Sequence, residues 1–244
     1  MLEFLTSFYL GIQSAPIIPP NISVLAQAQT SNSTSAAEIF RNAYENRYTW
    51  DSQFPGYTAT VKVKQGNSNY EGKIAVNSDL TVKVTGIPKE EVQSSVKNQL
   101  RMIVVHRRRV PFETEHKNST FELGTPARNG AVKIIEQGKT NAQYEVFQNE
   151  LRQINRLLGD VAVTVNVIAS QKTPLGYLAT HYKTIVKQPR DQQVIGEMDQ
   201  KDSYRKFGNY YLLTRQELSE SDFNQKQQNT TILDFKDIHL NQPD

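Results

Sequence analysis

The sequence predicts an α+β fold: one large, curled antiparallel sheet, a half-open barrel, with two amphipathic helices packed on its concave face. Three observations carry this expectation. Stretches of period-two alternation recur from residue 57 to residue 84 and again after Pro111, punctuated by Gly, Pro, Asn and Asp. Two other stretches show apolar residues at three-to-four spacing. No second compositional regime appears after Ser35, so residues 35–244 read as one domain.

Residues 1–34 stand apart. Glu3 is the only charged residue among them, and an apolar run from Phe4 to Ile12 precedes Pro16, Pro19 and Pro20. The prolines break the uninterrupted run of about 20 apolar residues that a spanning helix needs. Ala26 and Ala28 in "VLAQAQT" have the small-residue spacing of a signal-peptidase site, yet no Lys or Arg precedes the apolar run. Two readings stand: a candidate signal peptide, or a disordered or membrane-brushing tail. Cleavage near Ala28 implies the periplasm or a thylakoid lumen; otherwise the expectation is cytoplasmic.

The first helix begins after Ser35, an N-cap with Glu38 completing a capping box. Ala36, Ala37, Phe40, Ala43, Tyr44 and the Arg47–Tyr48 pair mark its apolar side, and Pro55-Gly56 ends the region. Three strands follow. Tyr57, Ala59, Val61 and Val63 share one face of the first; Tyr70, Gly72, Ile74 and Val76 belong to the second; Leu80, Val82 and Val84 belong to the third. "GNSN" and "SD" make the turns. The opposite faces carry Lys, Thr and Glu, as in a sheet wet on one side.

Pro88, Glu90 and Glu91 suit the start of a second helix, with Val92, Val96, Leu100, Ile103 and Val104 as its stripe. After Pro111 the chain reads as roughly eight or nine strands, from "FETEH" to "QNTTILDFKDIHL". In the last, the parity slips between Phe235 and Ile238, the mark of a bulge. So many strands in one sheet predict a curl, because large flat sheets are unusual. The hollow of that curl is where both helices can bury their stripes.

Composition removes several chemistries. The chain of 244 residues contains no cysteine, which excludes disulfides, thiolate catalysis and iron–sulfur ligation. The net charge of +3, with both signs interspersed, is too mild for a nucleic-acid partner. His106, His116, His181 and His239 are scattered and form no metal-binding spacing, although His106 and His116 could approach carboxylates such as Glu113 or Glu115 in space. The G-x-S-x-G, P-loop and dinucleotide fingerprints are absent. Glu90–Glu91 and Glu113–Glu115 read as capping and solvated positions rather than acid–base pairs. The expectation is a non-enzyme with no catalytic residue, metal or cofactor.

"AYENRYTWDSQFPGYTATV", "YEGKIAVNSDLTVKVTG" and "GNYYLLTRQEL…TTILDFKDIHL", in that order, resemble a cyanobacterial family catalogued as a domain of unknown function, over about Ala37 to Leu240. The order helix, hairpin strands, helix, strand meander is similar, more loosely, to the periplasmic lipoprotein-carrier (LolA-like) half-barrels. That likeness implies a concave face that binds acyl chains.

Two features are candidate sites. Tyr48, Trp50, Phe54 and Tyr57, around the only tryptophan, read either as a hydrophobic corner between helix and sheet or as the rim of a ligand cavity. Asp51 is placed to hold the turn. Arg107, Arg108 and Arg109 in "HRRR" read either as partners for the carbonyls at the helix end or as a patch meeting an anionic headgroup, membrane surface or acidic partner. Tyr177, Tyr182, Tyr210 and Tyr211 read as cross-strand packing or cavity lining. The leading expectation is a binding protein for a lipid, acyl or isoprenoid chain held between sheet and helices. The alternative is an assembly or interaction factor, linked to photosynthetic or envelope membranes, with a filled core.

Overall fold

The computed structural model describes residues 34–127, 130–138 and 141–242. The leader expected over residues 1–34 lies, but for its last residue, outside the described residues.

Helix α1 runs Ala36–Glu45, and the Ser35 hydroxyl accepts from the Glu38 amide at 3.1 Å, as the capping box requires. It ends before Arg47 and Tyr48, which the spacing had placed on its stripe. The segment after it runs extended instead: the Tyr48 amide donates to the Tyr177 carbonyl at 2.7 Å and the Tyr177 amide to the Asn46 carbonyl at 2.8 Å.

Strands β1 (Gly56–Gln65), β2 (Ser68–Asn77) and β3 (Val82–Thr85) form the expected meander. Strand β3 starts later than the alternation suggests, because Leu80 takes a positive φ of 67° in the turn. Helix α2 spans Glu90–Arg107, two residues beyond Pro88, with Lys89 extended at its N-cap. "FETEH" was expected as a strand but forms a single helical turn, α3 (Phe112–Glu115). The Pro111 carbonyl accepts from both the Thr114 and the Glu115 amides, at 3.0 and 3.1 Å, and four residues of alternation are too few to oppose this.

The remaining chain is a meander of nine strands: β4 (Thr120–Leu123), β5 (Val132–Gln137), β6 (Ala142–Phe147), β7 (Glu150–Leu158), β8 (Val161–Thr173), β9 (Gly176–Lys187), β10 (Val194–Phe207), β11 (Tyr210–Asp222) and β12 (Gln227–Leu240). All twelve strands join one curled, unclosed antiparallel sheet, in the order β3-β2-β1-β12-β11-β10-β9-β8-β7-β6-β5-β4. The first and last strands pair, and the expected bulge sits there: Thr58 faces His239 while Thr60 faces Lys236, with Asp237 at φ 48°.

Registers assign one face to the interior. Val61 opposes Phe235, Leu233 opposes Gln216, Gln216 opposes Asp202, Gln200 opposes Tyr182, Val165 opposes Ile154 and Tyr144 opposes Ile134. All of these residues therefore lie on the same, inner side, because side chains alternate faces along each strand. The outer side carries cross-strand ion pairs such as Lys62–Glu71 and Lys183–Glu197, at 3.5 and 3.1 Å, each worth little at such exposure.

Both helices sit on the inner face. Phe40 and Tyr44 of α1 join Ile134, Tyr144 and Leu151 in one apolar cluster, with the Phe40 and Tyr144 rings 4.3 Å apart. Val92, Val96, Leu100, Ile103 and Val104 of α2 join Tyr57, Val61, Val76 and Phe235 in a larger one. A third, small cluster of Val161, Val163 and Val186 lies on β8 and β9. The most extensive helix–sheet contacts run from α1 to β4, β6 and β7 and from α2 to β3. Strands β8 and β9, in the middle of the order, have none of that extent, and their concave side is the trough of the curl.

Candidate functional site

The extended segment after α1 stitches the molecule together. Beyond its bridge to Tyr177, the Trp50 amide donates to the Arg107 carbonyl at 2.7 Å, so the segment lies between the start of β9 and the end of α2. Its aromatic side chains then turn inward. Tyr48, Trp50, Phe54 and Tyr57 are all buried, and all belong to the α2 cluster. Trp50 and Phe54 stack at 4.0 Å with 12° between planes, and Tyr57 meets Phe54 edge-on at 6.4 Å. The Tyr48 hydroxyl accepts from the Tyr211 amide at 2.8 Å, and Trp50 Nε1 donates to the Tyr211 carbonyl at 3.4 Å. Asp51 holds the turn, accepting from the Gln53 amide at 2.9 Å and from the Tyr210 hydroxyl at 3.0 Å. The corner thus fixes α1, α2 and the start of β11 to one another.

The three arginines separate. Arg107 turns into the protein and is buried; Arg108 and Arg109 stay exposed. A groove of about 630 Å³ brings Arg108 and Arg109 together with Tyr44, Arg47, Trp50 and Leu80. Two segments nominated separately by the sequence, the aromatic corner and the arginine run, therefore share one surface.

Arg107 enters a buried polar cluster on the floor of the trough. Its Nη2 donates to the Tyr204 hydroxyl at 3.0 Å, and that hydroxyl donates to Asp202 Oδ2 at 3.0 Å. Gln216 Nε2 donates to Asp202 Oδ1 at 2.9 Å, and Gln200 Nε2 reaches both carboxylate oxygens at 3.2 and 3.0 Å. Burial raises the Asp202 carboxyl above the ordinary carboxylate range, against the hydrogen bonds from Gln216, Gln200 and Tyr204 and the Arg107 charge. Two buried atoms lack partners: Arg107 Nε, a donor, and Gln216 Oε1, an acceptor. Next in the chain, His106 is solvent-accessible but stands deep among protein atoms. Desolvation, then the charges of Arg107, Arg47 and Arg156, push its imidazole down to about 3.

A second polar cluster lies under α1. His116 Nδ1 stands 2.8 Å from Glu136 Oε1, the Ser119 hydroxyl donates to the same oxygen at 2.6 Å, and the Tyr144 hydroxyl donates to Oε2 at 2.7 Å. His116 therefore meets Glu136 rather than Glu113 or Glu115. The trio of serine, histidine and carboxylate invites comparison with a hydrolase triad, but the serine bonds the acid and not the base. The His116 ring is packed against those of Phe40, Tyr44 and Phe112, at 5.0–5.1 Å. Among the described residues, no group of three or more His, Cys, Asp or Glu could hold a metal ion. No described helix is long and apolar enough to cross a membrane.

The sequence grouped Arg107 with Arg108 and Arg109, as partners for the helix-end carbonyls or as one patch for an anionic partner, whereas Arg107 is buried. Its spacing from Leu100, Ile103 and Val104 would have placed it on the buried stripe. Asp202, Gln200 and Gln216 left no comparable signal, because they are polar residues at inward positions of long mixed strands.

An unclosed antiparallel sheet clasping helices over a partly open concave face defines the class: an α+β half-barrel. Within it, the chain belongs to the family described as "Protein of unknown function (DUF3386)", whose model matches residues 31–240. No curated protein matches the chain. Among solved structures, a LolA superfamily protein from Nitrosomonas europaea is similar at 8% identity and TM-score 0.26, covering 87% of this chain and 96% of its own. A DUF1329 family protein from Desulfovibrio piger is similar at 5% identity and TM-score 0.27, covering 84% and 91%. The MucA/MucB complex from Pseudomonas aeruginosa contains a chain similar at 9% identity and TM-score 0.22, covering 85% and 99%. Likenesses this loose carry no argument about a ligand, so the functional reading rests on the trough itself.

Proposed function

We propose that the chain is a non-enzymatic binding protein that holds a hydrophobic or amphipathic ligand, an acyl or isoprenoid chain, in the trough between its two long helices. One observation carries this reading: the most extensive helix–sheet contacts leave out the inner face of β8–β10. Val165, Ile195 and Met198 are only half-buried there, as is Leu158 at the end of the neighbouring β7, while the helices fill the flanks with their own side chains. A ligand chain laid along that strip buries apolar surface on both partners. Ten buried methylenes gain on the order of 8 kcal/mol before the cost of ordering the ligand.

A fluorescent acyl probe titrated into the purified protein tests it. Saturable binding is expected, weakened at least about tenfold by Met198→Arg or Val165→Arg, since a buried unpaired charge is costly. Ile185→Arg on the outer face should leave it unchanged. No saturable binding, with no lipid retained in native mass spectrometry, sinks the proposal.

The groove favours a second reading. Its exposed Arg108 and Arg109 beside Trp50 and Leu80 suit an acidic partner segment. Capture of a protein partner that is lost in Arg108→Ala/Arg109→Ala, with acyl-probe binding absent, would establish that reading instead.

A further inference from the structure

The polar cluster on the trough floor has a specific deficit. Of the hydrogen-bonding atoms on Arg107 and Gln216, Nε–H and Oε1 are buried and unpartnered, and a buried orphan of this kind is destabilising. The two side chains belong to one connected network: Gln216 bonds Asp202, and Tyr204 bridges Asp202 to Arg107. All three polar neighbours of Asp202 are already committed to its carboxylate. Gln200, one of them, is half-buried on the trough side, as is Tyr182 opposite it in the register. The cluster therefore forms one polar end of the strip, along which Met198 lies between Thr184 of β9 and Glu220 of β11.

We propose that Arg107 and Gln216 recognise an uncharged hydroxyl, so that the trough's ligand is an amphipath ending in an alcohol, such as a fatty alcohol, a monoacylglycerol or an isoprenoid alcohol. This rests on the binding reading above and names the ligand's head group. Arg107 Nε–H calls for an acceptor and Gln216 Oε1 for a donor, and a hydroxyl is both. A carboxylate has no proton for Gln216 and would lie beside the Asp202 carboxylate. An ammonium has no lone pair for Arg107. An ether accepts but does not donate, and leaves Gln216 Oε1 orphaned. Sites built to bond a hydroxyl reject analogues that lack it far more strongly than apolar pockets reject a missing methylene.

Displacement of a bound fluorescent acyl probe from the native full chain reads the preference directly. Dodecanol, dodecyl methyl ether, dodecanoate and dodecylamine are compared. Dodecanol is expected to displace the probe at about tenfold lower concentration than the ether, and lower still against both charged ligands. Gln216→Met, which keeps the side-chain volume, should bring alcohol and ether together while the acyl probe still binds. If that variant fails to fold, the alcohol-to-ether ratio in the unaltered chain decides alone. Equal displacement by alcohol and ether means that the cluster holds an ordered water only, and overturns the head-group assignment while leaving the trough intact. If the probe itself does not bind, the trough reading falls and takes this one with it.

Discussion

Arg107 and Tyr204, 97 residues apart in the chain, meet through a 3.0 Å hydrogen bond in the buried interior, where the guanidinium also lies 5.2 Å from the centre of the tyrosine ring. This contact connects the end of α2 to β10. Arg107→Met removes the positive charge from a cluster that holds the Asp202 carboxylate. The loss should be about 3 kcal/mol in urea denaturation, because an uncompensated buried charge remains. In the Asp202→Asn background the same substitution should cost at least about 1 kcal/mol less, the coupling that contacting residues show. Additive losses would mean that the two residues do not share a network.

Trp50→Ala should destabilise the protein by roughly 3–5 kcal/mol, since its indole is 3% exposed and stacked on Phe54. Phe54→Ala should cost a similar amount, and the double variant less than the sum, because each ring is the other's packing partner. Thermal unfolding of the four proteins measures this cycle. A loss below about 1 kcal/mol for Trp50→Ala would show that the corner is not core.

His106 predicts an acid sensitivity of known sign. Its imidazole is depressed from the usual 6.5 to about 3 in the folded chain. Between those values the unfolded chain binds the proton and the folded chain does not. Stability is therefore complete above pH 6.5 and falls as the pH drops toward 3. In His106→Asn this part of the acid loss should disappear, so that the variant's stability declines less steeply through the window. An NMR titration that shows the His106 ring protonating near its ordinary value would refute the depression.

Gly176 stands at φ 115° where β9 begins, and a Cβ there would collide with the Asn46 carbonyl. That carbonyl accepts from the Tyr177 amide. Gly176→Ala should cost at least about 2 kcal/mol, combining backbone strain with displacement of the α1 stitch. Amide exchange should speed up at Tyr48 and Tyr177 in particular. Unchanged protection at both would mean that the stitch tolerates the methyl group.

Much of the fold is legible in the residues. The Ser35–Glu38 cap, the alternation from Tyr57 to Val76 and the slipped parity at Phe235–Ile238 each rest on local chemistry, and each appears where the pattern puts it. The failures share a cause. Pro111 outweighs the brief alternation of Phe112–Glu115, and Leu80 gives up strand geometry to close a turn. The floor of the trough is harder still. A register shift between Ser203 and Tyr204 breaks the parity of β10, so the shared inner side of Asp202 and Gln216 emerges only once the strands are paired.

The margins of the sheet carry a last consequence. Strands β3 and β4 terminate it and are four residues long each, whereas the central strands β8–β12 run to 12–14. An open ladder is a template for another copy of the chain, and the length of its unpaired border sets how well such a copy can adhere. Here the long strands are all interior, each with a neighbouring strand on both sides over part of its length. The borders offer only a few backbone groups, and β3 is flanked by α2. Under the binding reading proposed above the hollow must stay open to admit a ligand, and short borders let the sheet stay unsealed without zipping to its neighbours.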